Sequence, residues 1–155
     1  MPVIFVIEDN SWGISVPKSE ATAVARNDVR AAGYGMPGHY IPGNDPYAVF
    51  DIAGEAIARA RAGEGPTLIE VETYRLAGHF MGDAEQYRPA GEKDALFAKD
   101  PIPKMRARVI ADGHATDDEM AGIEKRAEER VADAIAFARD SKYAPDTDAL
   151  TAVFV

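Results

Sequence analysis

Residues 43–75 read GNDPYAVFDIAGEAIARARAGEGPTLIEVETYR, and the fold depends on how they are read. Asp45 is a natural helix N-cap, and Pro46 suits the first helical position, where its missing N–H is not needed. Val49, Ile52, Ala53, Ala56, Ile57 and Ala60 recur at helical spacing to make one apolar face, and Gly63 ends the run. TLIEVETYR, residues 67–75, then predicts a buried strand. Just upstream, His39-Tyr40-Ile41-Pro42 is a short extended piece. Extended piece, helix, strand is the rhythm of an α/β protein with a parallel sheet.

Working outward, PVIFVI at residues 2–7 is a continuous apolar run, which predicts a strand buried on both faces. It breaks at Glu8-Asp9-Asn10. Residues 19–32 predict a short helix closed by Gly33 and Gly35. After Arg75 the stretch LAGHFMGDAEQYRPAGE has neither helical nor alternating period and predicts a long loop. Loops of that length within a compact domain are uncommon and often functional. Beyond it, Asp100-Pro101 starts a helix that runs to about Ala111 and stops at Gly113. Thr116 and Glu119 have the spacing of a capping box. They open a long helix with Met120, Ile123, Ala127, Val131, Ala134 and Ala138 on one stripe. Glu124, Lys125, Glu128, Glu129 and Arg130 give it a solvated face. Residues 147–155, TDALTAVFV, read as a final extended segment.

Composition narrows the function. The 155 residues are 46% hydrophobic and 28% charged, with a formal net charge of -9. That charge argues against nucleic-acid partners and anionic membranes, which need a basic surface. There are no cysteines, hence no disulfides and no thiolate metal sites, and a cytoplasmic location is expected. No apolar run is long enough for a membrane span.

Two places hold chemistry. The first is Glu8-Asp9-Asn10, which can be a polar turn at a strand end or a site, since ligands of α/β sheets bind beyond the strands' carboxyl ends. An acidic phosphorylation pocket of the receiver type would need a phospho-acceptor Asp after a later hydrophobic strand. The nearest candidate, Asp45, caps a helix instead, and Lys104 stands at a helix start rather than after a strand. Alternatively, the Asn10 amide oxygen and the Trp12 carbonyl can serve magnesium, which takes hard oxygen donors beside phosphate oxygens. The second place is the loop, where Arg75, His79, Asp83, Tyr87 and Arg88 gather the charges to neutralise a diphosphate. His39 and His114 lack such company.

Taken together, PVIFVIEDNSWGIS and GEGPTLIEVETYRLAGHFMGDAEQYR resemble the alpha subunits of thiamine-diphosphate-dependent 2-oxo acid dehydrogenases, with acetoin dehydrogenase alpha subunits the nearest branch. DPIPKMRARVIADG and the capped C-terminal helix follow in the same order. The resemblance implies the C-terminal half of a thiamine-diphosphate-binding α/β fold, a parallel sheet flanked by helices, with a helical C-terminal tail. Residues 1–91 would form a partial cofactor-binding domain carrying an active-site loop at 76–91, and residues 92–155 a helical extension. It also implies roles. Asn10 and Trp12 would ligate magnesium by side chain and carbonyl, and Ile14 would support the bent cofactor. Arg75 and His79 would open the active-site loop, with His79 catalytic and beside the diphosphate. Asp83, Tyr87 and Arg88 would keep the loop ordered.

The implied activity is oxidative carbon–carbon cleavage of acetoin and transfer of the acyl unit to the lipoyl group of a partner acyltransferase. Pyruvate or a branched-chain 2-oxo acid is the alternative substrate. A beta subunit would supply the Glu that activates the cofactor. Three departures stand out. Asp9 replaces the first Asn of the usual pair, Ala77 replaces a histidine, and Phe80 stands where pyruvate dehydrogenases carry a phosphorylatable Ser. The Gly-Asp-Gly that opens the family's cofactor motif is missing, so these 155 residues hold half a magnesium site and are expected to be inactive alone. A different class of function, a non-catalytic assembly module, is the competing expectation.

Overall fold

The computed structural model describes residues 1–151. The chain divides into two units, Met1–Met105 and a second that begins at Arg106.

The first unit is built on a parallel sheet. Strands β1 (Ile4–Asp9), β4 (Gly38–Ile41) and β5 (Thr67–Glu72) pair in the order β1-β5-β4. Ile4 faces Thr67 and Asp9 faces Glu72 on one side of β5, while Gly38 faces Leu68 and Ile41 faces Val71 on the other. A two-residue hairpin, β2 (Trp12–Gly13) with β3 (Val16–Pro17), follows β1, and a single turn of helix, α1 (Lys18–Ala21), follows the hairpin. Helix α2 (Pro46–Arg61) connects β4 to β5. The Asp45 side chain accepts the N–H of Tyr47 at 3.0 Å, Pro46 occupies the first turn, and Gly63 closes the helix at φ +76°. Its apolar face lies on the sheet, where Ile41, Ala56 and Ile69 are buried together with Ile4, Ala48, Val49, Ile52 and Val71 around them. The fold class predicted from sequence, a parallel sheet flanked by helices, is the one observed.

Successive side chains along a strand alternate between faces. Ile69 and Val71 therefore meet α2, whereas Leu68 and Glu70 face the opposite side. That side meets Asn27 and the 3₁₀ helix that follows it, Asp28–Tyr34. Two expectations fail here. Residues 19–32 do not form one helix, because Glu70 takes the N–H of Asp28 at 2.8 Å and the Asn27 side-chain amide at 3.0 Å. A continuous helix would commit that N–H to a carbonyl four residues back. Nor is β1 buried on both faces: Phe5 and Val6 are 46% and 58% exposed. The described sheet ends at β1, and it is central β5 whose residues from Thr67 to Glu70 are all buried.

The strand predicted over residues 67–75 ends at Glu72, and residues 73–91, which include the loop predicted over 76–91, have neither helix nor strand. A short helix the sequence reading does not name, α3 (Glu92–Phe97), comes next, and then α4 (Pro101–Ala111), capped by Asp100 and stopped by Gly113 at φ +73°. In the second unit Thr116 and Glu119 form the predicted capping box at the head of α5 (Asp117–Asp140). Ile123 and Val131 on its apolar stripe are exposed, as are its charged residues. The expected extended tail is not found over residues 147–150, which lie in a 3₁₀ turn, Asp146–Leu150, and residues 152–155 are outside the described part. Among the described residues no helix is long and apolar enough to cross a membrane.

Candidate cofactor site

The exit of β1 is a pair of side-chain turns. Asp9 Oδ1 accepts the N–H of Ser11 at 3.0 Å, and Asn10 Oδ1 accepts the N–H of Trp12 at 3.0 Å. Short polar side chains stabilise tight turns this way, by answering backbone donors two residues on. The turn carries backbone strain. Ser11 sits at φ +67° and Ile14 at φ +60°, and a β-branched residue in the left-handed region costs about 1–3 kcal/mol. Such a conformation persists only where its surroundings fix it. Here the β2–β3 hairpin and the Lys18 N–H, which donates to the Ser11 carbonyl at 2.8 Å, close the segment on itself.

Asp9 and Lys18 also meet through their side chains, and the Lys18 ammonium reaches Glu70 Oε1 at 3.3 Å. Glu70 is 0% exposed. Burial alone would raise the Asp9 carboxyl, but the Lys18 ammonium and the Ser11 N–H outweigh it and hold Asp9 below its ordinary range. Burial would lower Lys18, but the Asp9 and Glu70 carboxylates outweigh it and hold the ammonium above its ordinary range. Neither Lys18 nor Glu70 is among the site residues picked from sequence. The available signal was a carboxylate inside the apolar strand TLIEVE, a position where a charge survives only with partners.

The loop is ordered by its own polar groups. Tyr87 Oη donates to Asp83 Oδ2 at 2.6 Å and accepts from Arg75 Nη2 at 2.6 Å. Asp83 further accepts the backbone N–H groups of His79 at 2.8 Å and Glu85 at 2.9 Å. Arg88 is almost wholly buried, with a side-chain exposure of 4%, and donates to the carbonyls of Arg75 at 2.7 Å and Ala77 at 3.2 Å.

Trp12 joins the two places. Its ring centroid lies 5.3 Å from that of Tyr87, with the Arg75 guanidinium 5.9 Å and the Arg88 guanidinium 6.0 Å from the indole. Guanidinium groups are attracted to the electron-rich face of an indole at these distances. Of the residues picked from sequence, Asn10, Trp12, Arg75, Asp83, Tyr87 and Arg88 therefore form one connected set. His79 enters it through its backbone alone, with an exposed side chain, and Ile14 stays exposed beside it. A cleft of about 600 Å³ opens along Trp12, lined also by Ser11, Lys18, Tyr87, Pro89 and Glu92.

The hydroxyl of Tyr87 first, then the N–H groups of His79 and Glu85, depress the Asp83 carboxyl to about 2. The sign follows directly. A carboxylate depressed on folding stabilises the folded loop fully above the ordinary value of about 4, and that contribution is lost as pH falls through the depressed one. Emission from Trp12, the single tryptophan, is thus expected to hold steady from pH 7 to about 4 and to change as pH falls towards 2. In Asp83→Ala it should sit at the altered value already at pH 7. A wild-type transition centred near pH 6 would contradict this.

The donor chemistry suits a magnesium diphosphate in part. Asn10 Oδ1 is a hard oxygen with one hydrogen bond accepted, so an amide lone pair remains. No group of three or more His, Cys, Asp or Glu able to hold a metal occurs among the described residues.

Comparison with known proteins gives the family. Residues 1–146 match the family model described as dehydrogenase E1 component. The chain is 41% identical over 156 residues to the alpha subunit of acetoin:2,6-dichlorophenolindophenol oxidoreductase from Bacillus subtilis (strain 168), covering 100% of this chain and 46% of that one. It is 39% identical over 154 residues to pyruvate dehydrogenase E1 component subunit alpha-3, chloroplastic, from Oryza sativa subsp. japonica, covering 99% and 36%. To the alpha subunit of 3-methyl-2-oxobutanoate dehydrogenase from Mycobacterium tuberculosis (strain ATCC 25618 / H37Rv) it is 47% identical over 106 residues, covering 68% and 29%. The chain thus spans less than half the length of these curated relatives.

Proposed function

We propose a function from one premise: this chain belongs to the dehydrogenase E1 component family. It supplies part of the alpha subunit of a thiamine-diphosphate-dependent enzyme acting on acetoin, working with a beta subunit and a lipoyl-bearing acyltransferase. The observation that carries the reading is the Trp12 cluster, which ties the Asn10 turn to the loop of Arg75 and Arg88.

Bound thiamine diphosphate supplies the carbanion chemistry that cleaves the bond beside a carbonyl, and magnesium offsets the charge of its diphosphate. The protein residues bind and orient. Asn10 Oδ1 and the Trp12 carbonyl would hold the metal, Ile14 would support the cofactor from the strained turn, and Arg75 and His79 would supply positive charge and a donor at the diphosphate end. Asp83, Tyr87 and Arg88 keep that end of the loop in one conformation, so its charges are placed before the ligand arrives.

Acetoin is chosen on GHFMGD, in which Phe80 stands in place of a modifiable hydroxyl; identity supports acetoin and pyruvate alike, at 41% and 39%. Pyruvate is the second reading, on the 39% identity to the rice subunit. The test is turnover by the assembled alpha–beta enzyme with an artificial electron acceptor, on acetoin, pyruvate and 3-methyl-2-oxobutanoate. An acetoin kcat/KM at least about tenfold above the others, a difference of about 1.4 kcal/mol in transition-state binding, is expected. A pyruvate preference overturns the substrate, and no cofactor-dependent turnover on any of the three overturns the activity.

A further inference from the structure

Lys18 follows the hairpin and grips the β1 exit twice. Its backbone N–H donates to the Ser11 carbonyl at 2.8 Å, and its ammonium binds the Asp9 carboxylate. The other Asp9 oxygen accepts the Ser11 N–H, one residue before the N–H that Asn10 receives from Trp12. The ammonium also reaches Glu70, which is fixed in the central strand by the Asn27 amide and the Asp28 N–H. Both acids and the lysine are largely shielded from water, with side-chain exposures of 11% for Asp9, 21% for Lys18 and 0% for Glu70.

The geometry is that of a strut. One end is anchored at the middle of β5, where strand pairing and two further donors hold Glu70. The other ends on Asp9 and Ser11, the residues that set the path of the chain through Asn10, Trp12 and the left-handed Ile14. A flexible turn would present an amide oxygen and a carbonyl in many relative orientations, whereas magnesium requires near-ideal octahedral placement. Supporting contacts that orient a ligand are worth about 10–100-fold in metal affinity even though they never touch the metal.

We propose that Lys18 is a positioning residue for the cofactor site, holding the Asn10–Ile14 turn against β5 through Asp9 and Glu70. This rests on the reading of Asn10 and Trp12 as magnesium donors. It assigns a role to a residue that has no donor oxygen of its own.

The test uses the assembled alpha–beta enzyme, titrated with magnesium in the presence of thiamine diphosphate and followed by calorimetry. Lys18→Met is expected to raise the magnesium half-saturation about tenfold and to speed hydrogen exchange of the Ser11 and Trp12 amides, with Lys18→Arg restoring much of both. Asp9→Asn keeps the acceptor for Ser11 but removes the charge that Lys18 holds, so it should show the same defect. The double variant Asp9→Asn/Lys18→Met should be no worse than Lys18→Met, because both act through one contact. A lower melting temperature with wild-type half-saturation and exchange at Ser11 and Trp12 overturns the proposal. If Lys18→Met does not assemble, Asp9→Asn alone decides, and wild-type magnesium affinity there overturns it. The site reading fails separately: Asn10→Ala with normal metal affinity removes the site, whereas Asn10→Ala defective beside a normal Lys18→Met removes only the strut.

Discussion

Asn10→Ala is expected to weaken magnesium-dependent cofactor binding by the assembled enzyme by about 100-fold, taking the upper end of what supporting residues are worth as the floor for a direct ligand. Two roles meet at this side chain. It would donate its amide oxygen to the metal, and it already accepts the Trp12 N–H at 3.0 Å. Alanine removes both, so the turn also loses a hydrogen bond worth about 1 kcal/mol. Asn10→Asp separates the roles: a carboxylate oxygen can still accept from Trp12 and is itself a hard donor for magnesium. The expected order of affinity is wild type and Asn10→Asp together, with Asn10→Ala far below. Isothermal titration with magnesium at fixed thiamine diphosphate measures it. Equal affinity for Asn10→Ala and wild type would falsify the assignment of the metal to this strand end.

The second large effect is on stability. Glu70→Ala is expected to destabilise the fold by about 3–5 kcal/mol, the range for removing one partner of a buried pair. Glu70 has no exposure and accepts from three donors, the Asp28 N–H at 2.8 Å, the Asn27 amide at 3.0 Å and the Lys18 ammonium at 3.3 Å. Truncation leaves all three facing a cavity. Domains have about 5–15 kcal/mol to lose, so this single change consumes a large share. Glu70→Gln preserves the shape and an acceptor while weakening the link to Lys18, and should fall between, at about 1–3 kcal/mol. Urea denaturation reads both. A Glu70→Ala midpoint within error of wild type would show that water replaces the carboxylate without loss.

The two experiments mark what could be read from the chain and what could not. Asp45-Pro46 and Gly63 bracket α2 in sequence because capping and stopping are local chemistry, decided within one turn. The capping box of Thr116 and Glu119 was legible for the same reason. The apolar spacing of α2 also named Val49, Ile52 and Ala56 on the face that covers the sheet, though Ile57 of the same predicted stripe is exposed. PVIFVI was read correctly as a strand but wrongly as a buried one, since a run of apolar residues does not say how many neighbours the strand has. Residues 19–32 have helical composition, and a buried carboxylate 42 residues away from Asp28 takes the N–H that a helix would need.

The site divides along the same line. Its residues, Asn10, Trp12, Arg75, Asp83, Tyr87 and Arg88, were all visible in the sequence as two clusters of chemistry-bearing side chains. That the clusters are one object was implied by the family resemblance and not by the residues themselves. Strand β1 and strand β5 pair in parallel with Asp9 beside Glu72, and this register brings the two strand exits to the same end of the sheet. Trp12 can then lie against Tyr87 and both arginines. The sequence determined helices α2, α4 and α5, their caps and the candidate donor atoms, because those follow from interactions spanning a few residues. Only the tertiary structure decided which donors meet and that Lys18 and Glu70 brace them, because strand pairing joins residues far apart in the chain and burial makes an unpaired charge there too costly to leave.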